Sequence, residues 1–235
     1  MAIPKIIHQI WSSQNNPLPE FFIELGNTWR EFHPDWQYYF WNDKKMNTFI
    51  RQYYPDYMEL YSLFAYDVQR WDVIRYLILY QMGGLYVDFD TECLGNIEVL
   101  LATDCCFGTD TEENIIYSSL VKDAYLNNTY IASAPGHPFL KSLIDCVFIS
   151  DQMYIKKENK LLQVLQTSGA LMLSDVYSQY ALKEQITIIP ATDVAPFSLM
   201  EAHAILAGEE KKEWNIRLQK ASAVHFFIGS WGYYK

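Results

Sequence analysis

Asp88 and Asp90, one residue apart in Asp88-Phe89-Asp90, are the residues of this sequence best placed to do chemistry. Side chains of an extended chain alternate with period two, so both carboxylates project to one side. Left without a partner they repel, and one tends to keep its proton. A divalent cation removes that conflict. An oxygen ligand set suits Mn2+ or Mg2+, which keep positions for water or phosphate oxygens. Acidic pairs also cap turns, so the triplet alone decides little. Upstream, Asp72 and Arg75 stand three apart on a helical stretch and point from one face. As a surface ion pair they would contribute on the order of a few tenths of a kcal/mol. As a site, the carboxylate would accept from a ribose or sugar hydroxyl, and the guanidinium would offer its fixed donors to a hydroxyl or phosphate. His225, between Val224 and Phe226, reads by itself as a satisfied core residue, although imidazole can join a Mn2+ site.

The elements that must position these groups follow from periodicity. From Tyr66 to Met82, apolar residues at Val68, Trp71, Ile74, Ile78 and Met82 predict a helix with one buried face. Gly83-Gly84 ends it, where a left-handed C-cap is natural. Leu85, Tyr86 and Val87 then form a short strand leading into Asp88. Before the helix, the sequence reads as a strand over Ile3 to Trp11 and a loop through Asn15, Asn16, Pro17 and Pro19. A helix over Phe21 to Phe32 and a turn at His33-Pro34-Asp35 come next. A strand over Gln37 to Trp41 follows, then a helix capped by Asp43 and running to about Tyr53. After the triplet, strands are expected at Cys105 to Gly108, Tyr130 to Ser133, Thr187 to Ile189 and Val224 to Phe227. Helices are expected at Pro138 to Ile149 and at Asn159 to Tyr180, the latter broken near Gly169. Alternating strands and helices indicate an α/β sheet covered on both faces. Ligands of such sheets sit at the carboxyl ends of the strands, where Asp88 and Asp90 fall.

Composition narrows the function classes. A chain of 235 residues fits one domain, 1–235, with a full core. A net charge of -10 repels phosphate backbones and anionic membrane surfaces, which argues against nucleic-acid binding. The one basic cluster, Lys156, Lys157 and Lys160, reads as a solvated helix face. Cys93, Cys105, Cys106 and Cys146 lack zinc-ligand spacing and read as reduced thiols of a cytoplasmic protein. Met1 to Trp11 has no signal-peptide pattern, and no run approaches the ~18 apolar residues a membrane span needs. Peripheral membrane contact is the most that is expected.

The stretch from Asp72-Val73-Ile74-Arg75-Tyr76 through Gly83-Gly84-Leu85-Tyr86-Val87-Asp88-Phe89-Asp90 resembles the D-x-x-R-Y…GG-x-Y-x-D-x-D signature of glycosyltransferase family 32. That family of DXD sugar transferases includes initiating mannosyltransferases of yeast and bacterial polysaccharide enzymes. The catalytic domains of clostridial glucosylating toxins share its signature. Ile3 to Trp11 is similar to the family's opening strand, Trp29 with His33-Pro34-Asp35-Trp36 to its next element, and His225 with Gly229-Ser230-Trp231 to its closing one. The chain departs from the family at Gly169-Ala170, where Gly-Pro is common.

The resemblance implies a GT-A fold, mixed and mostly parallel. It further implies a base site around Gln9, Ile10 and Trp11, with Tyr86 and Phe89 lining the nucleotide site. Asp72 and Arg75 would contact ribose and sugar. Asp88 would bind ribose or metal-bound water, Asp90 would ligate the metal, and His225 would be a third ligand or a diphosphate contact. Ser230 and Trp231 would close over the diphosphate. The implied activity is retaining, metal-dependent hexosyl transfer by front-face attack. A UDP-hexose is the favoured donor and GDP-mannose the next, with a bacterial surface glycan or lipid-linked oligosaccharide as acceptor. A nucleotide-sugar hydrolase, a non-catalytic binder of sugar nucleotides, and a toxin-like enzyme glycosylating a protein remain as alternatives.

Overall fold

The structure is a computed structural model and describes residues 2–12 and 17–229. In chain order its elements are β1 (Ile6–Ile10), α1 (Glu20–Phe32), β2 (Gln37–Trp41), α2 (Asp43–Tyr53), α3 (Met58–Ser62) and α4 (Asp67–Met82), then β3 (Gly84–Val87), β4 (Thr91–Cys93), β5 (Cys105–Gly108) and β6 (Tyr130–Ser133). These are followed by α5 (Pro138–Ile149), α6 (Lys160–Thr167), α7 (Ala170–Gln179), β7 (Thr187–Ile189), α8 (Ala191–Val194), α9 (Leu199–Leu206), α10 (Lys212–Lys220) and β8 (Ala223–His225). The main sheet has the order β2-β1-β3-β6-β5-β7. Only β6 runs against the others, so the sheet is mixed and mostly parallel, as expected.

Period-two alternation divides the sheet's side chains between two layers. Ile10, Tyr86, Phe107 and Ile131 face a core shared with α2, α4, α5 and α7. Ile7, Leu85, Val87, Cys106 and Ala132 face the opposite layer, where Trp29 of α1 and Val194 of α8 pack. Tyr86 therefore lies under α4, and Asp88, two residues on, continues along that face. No helix among the described residues is long and apolar enough to cross a membrane.

Four expectations need correction. The helix α4 is buried nearly all round, not along one face: Val73, Ile74, Tyr76, Leu77, Ile78 and Leu79 are all inaccessible, whereas Trp71 and Met82 are only partly buried. It lies between the sheet and α5 and α6, so its polar residues Gln69, Asp72 and Arg75 are buried with the apolar ones. Asn42, not Asp43, caps α2, its side chain accepting from the Lys45 N–H at 3.0 Å. The first strand is shorter than Ile3 to Trp11. The last is Ala223–His225, and it joins no strand of the main sheet. It pairs antiparallel with β4 in a small second sheet, Thr91 opposite His225. Of the expected loop, Asn15 and Asn16 lie outside the described residues.

Candidate functional site

The α4–β3 connection takes no residues beyond Gly83. Gly83 has φ +66°, and a Cβ there would meet Pro4 and Pro135 at 2.7 Å. A Cβ on Gly84 would stand 2.6 Å from the Ile6 carbonyl. Glycines at both positions let the chain reverse tightly from the helix into a strand packed against β1. That reversal fixes Asp88 below Arg75, although the two are 13 residues apart in sequence.

A cleft of about 720 Å3 opens at the carboxyl ends of β1, β3 and β5. Asp72, Arg75, Asp88, Asp90 and His225 all line it. Arg75 is its electrostatic centre. Its guanidinium pairs with Asp72 at 3.1 Å and Asp88 at 3.3 Å, donates to the Asn128 carbonyl at 2.7 Å and lies 4.4 Å from the centre of the Tyr86 ring. Burial opposes its charge, but Tyr86, Asp88 and Asp72 together raise its pKa, so it stays cationic. Burial pushes the Asp72 carboxyl up to about 6, against the pull of Arg75 and of hydrogen bonds from Ser168 (2.7 Å) and Asn128 (2.8 Å). At neutral pH this carboxylate is ionised and its orientation is fixed. Asp88 in turn accepts from the Tyr86 hydroxyl.

The triplet itself forms a turn between β3 and β4, not an extended strand. Its carboxylates still reach one cleft, because the chain folds back on itself. The β4–β8 pairing brings His225 beside Asp90, with imidazole Nε2 at 3.4 Å from the carboxylate, and the Phe226 N–H donates to the Asp90 carbonyl at 2.9 Å. Burial works against the Asp90 carboxylate. The facing His225 and the Ile228 N–H at 2.9 Å outweigh it and hold its pKa below the ordinary value. His225 is correspondingly raised: burial disfavours its charge, but Asp90 more than offsets that.

A divalent cation fits this donor set by its chemistry. Two carboxylates face one cleft beside an imidazole whose buried Nδ1 has no hydrogen-bond partner among the described residues. Among the described residues no three such side chains are already gathered as a metal cage. Hard cations that draw part of their shell from water and phosphate oxygens require no such cage.

The rest of the expected site divides three ways. Trp11 and Phe89 do line the cleft and meet edge-to-face at 6.3 Å, while Phe22 packs against Trp11 at 5.5 Å. With Ile10 they form an apolar, aromatic wall suited to a flat base. Gln9 lies behind that wall. It is fully buried, accepts from the Tyr38 hydroxyl at 2.7 Å and donates to the Asp88 carbonyl at 3.3 Å, so it braces the triplet. Ser230 and Trp231 lie outside the described residues.

Sequence reasoning missed Ser168, Asn128, Asp110 and Asn127. Asn127-Asn128 directly precede a strand whose start must lie at the site's end of the sheet, because that strand is antiparallel. Ser168 stands at the helix break by Gly169. Both signals were present, but only the strand order shows which end they face.

Comparisons agree with this geometry. Residues 19–107 match the family described as glycosyltransferase sugar-binding region containing DXD motif. The chain is 32% identical over 194 residues to inositol phosphoceramide mannosyltransferase 1 of Schizosaccharomyces pombe, covering 80% of this chain and 56% of that protein. It is 30% identical over 179 residues to a mannosyl phosphorylinositol ceramide synthase (CSH1) of Saccharomyces cerevisiae, covering 76% and 43%. The chain thus spans about half the length of the curated relatives it matches. Among solved structures, the PaToxG glycosyltransferase superposes with a TM-score of 0.55 at 16% identity, covering 93% of this chain and 84% of that one. The glycosyltransferase domain of the YGT toxin gives 0.51 at 10% identity, covering 80% of each. Both likenesses concern the fold, which is of the GT-A type.

Proposed function

We propose that this chain, which belongs to the DXD-containing glycosyltransferases, transfers a hexose from a nucleoside-diphosphate sugar to a hydroxyl of a glycan or lipid headgroup. The observation that carries this reading is the convergence on one cleft of the Asp72–Arg75 pair, both carboxylates of the triplet and an aromatic wall. The wall of Trp11, Phe22 and Phe89 takes the base. Asp72, held by Ser168 and Asn128, orients Arg75 toward the donor's sugar hydroxyls or phosphate. Asp90, with Asp88 and His225, would hold Mn2+ or Mg2+, which neutralises charge developing on the departing diphosphate. Arg75 adds a fixed positive charge in a largely dehydrated setting, where it acts more strongly than in water. The transfer retains anomeric configuration, the acceptor hydroxyl approaching on the leaving group's face.

The donor order changes from the sequence expectation. Relatives named as mannosyltransferases support GDP-mannose ahead of a UDP-hexose. Nothing in the comparisons supports a bacterial surface polysaccharide, and their names support a lipid-borne acceptor. A screen of GDP and UDP sugars for release of the nucleoside diphosphate, with Mn2+ or EDTA, tests the reading. Slow, metal-dependent cleavage of one donor is the expected result. Neither cleavage nor binding of any sugar nucleotide would defeat it.

A further inference from the structure

We propose that Asp110, aimed by Asn127, is the residue that receives the acceptor's attacking hydroxyl, a role that rests on the transferase reading above. Asp110 lies just beyond β5 on the cleft wall and is only 9% exposed. Its side chain has one hydrogen bond among the described residues, from Asn127 Nδ2 at 2.5 Å, which leaves acceptor capacity on the carboxylate. Asn127 cannot turn to relieve it. Its Oδ1 accepts from the Thr129 N–H at 2.6 Å, and its own N–H donates to the Gly108 carbonyl at 2.8 Å, so its amide nitrogen must face Asp110. Gly108 is fixed too, since a Cβ there would stand 3.0 Å from Tyr130 and 3.2 Å from Val194.

Asn114, on the same wall, shows the contrast. Both ends of its amide are engaged, with the Phe197 carbonyl at 2.9 Å and the Leu199 N–H at 2.8 Å, so it ties two loops together and has nothing left for a ligand. Asp110 makes no such tie. A buried carboxylate with one donor is costly, because its lost hydration is not replaced. A ligand hydroxyl is what would replace it.

The position identifies which hydroxyl. Asp72, Ser168, Asn128 and Arg75 form one closed group on the donor-sugar side. Among the described residues Asp110 shares no hydrogen bond with that group, and it lines the same cleft as His225, the residue that the transferase reading puts at the diphosphate end. In front-face transfer the acceptor hydroxyl must arrive on that same side, next to the departing oxygen. A carboxylate there orients a sugar or polyol hydroxyl over water by accepting its proton in a hydrogen bond.

The test compares Asp110→Asn and Asp110→Ser with the wild type in two assays, after thermal melting has shown which variants fold. One assay measures donor hydrolysis without acceptor. The other measures partition between free hexose and product in the presence of methyl α-mannoside, methyl α-glucoside or myo-inositol. The expected result is a larger loss in transfer, about 10- to 100-fold, than in hydrolysis, so that product falls relative to free hexose. Equal losses in both assays would overturn the proposal alone. So would a glycosyl adduct trapped on Asp110. A wild type that cleaves no donor would sink the transferase reading and this role with it.

Discussion

His8 and His225 are both enclosed by this fold, but only one has all its hydrogen bonds. His8, in β1, donates through Nε2 to the Gly83 carbonyl at 2.9 Å and accepts at Nδ1 from the Trp41 indole at 3.1 Å. His33 is just as complete, between the Trp29 carbonyl and the Ile97 N–H. Among the described residues His225, at the cleft, leaves its buried Nδ1 without a partner, and Asp110 holds a carboxylate on one donor. Native interiors satisfy nearly all buried polar groups, so incomplete ones need a reason. In the scaffold around β1, the polar groups serve one another and fix Gly83 and the triplet. In the cleft they keep capacity for a ligand. Damage to the first region should therefore appear as lost stability, and damage to the second as lost turnover.

Arg75→Ala gives the largest expected effect. Donor cleavage should fall about 100- to 1000-fold, as for other fixed charges aimed at a leaving group. Because Asp72 is left buried and unpaired, this variant should also lose about 3–5 kcal/mol in a urea titration. Arg75→Lys should recover stability better than rate, since a single ammonium nitrogen lacks the spread of the guanidinium fork, which reaches Asp72 through one nitrogen and Asp88 and the Asn128 carbonyl through the other. A Lys variant with full activity would break the contrast.

Trp41→Phe strikes the scaffold instead. It removes the donor to His8 Nδ1 and should cost about 1–3 kcal/mol in the same titration, while the folded variant cleaves donor at close to the wild-type rate.

Acidification separates the regions in a single protein. Burial depresses His8 to about 4, only partly offset by the Gly83 carbonyl, so the folded value lies below the unfolded one. Its stabilising contribution is complete above about 6.5 and is lost as pH falls from there toward 4. Asp72 lies the other way, raised to about 6, so the folded protein binds its proton first and the stability slope opposes that of His8. Between pH 7 and 5 melting should thus change little. Cleavage should fall about tenfold per pH unit below 6 as Asp72 protonates and releases Arg75. Melting curves and rates over that range check it. The smallest effect is expected from Asn42→Ala at the cap of α2, about 1 kcal/mol of stability with no change in rate.

Much of this division was legible in the sequence. Helical spacing gave α1 and α4, and short β-rich runs placed β2, β5, β6 and β7 at their observed bounds and β3 to within one residue. The Asp72–Arg75 pair and the triplet were found because local spacing sets their direction. The side-chain direction of Gln9 was not legible: its neighbours Ile10 and Trp11 line the cleft, whereas the Tyr38 hydroxyl across the sheet holds Gln9 behind the wall. The turn at the triplet went unseen because it depends on β4 pairing with β8, more than 130 residues away. Asn127, Asn128, Ser168 and Asp110 lie in connections, where no periodicity reports a direction. Only the order of the strands brings them to one cleft.

The most direct test is titration of Mn2+ into the protein with GDP or UDP present, following the free-ion spin-resonance signal, for the wild type and Asp90→Ala. The account predicts Mn2+ binding that depends on the nucleoside diphosphate and weakens at least about tenfold in the variant, with the melting temperature little changed. Equal binding by both proteins would contradict the assignment of the triplet as the cation site.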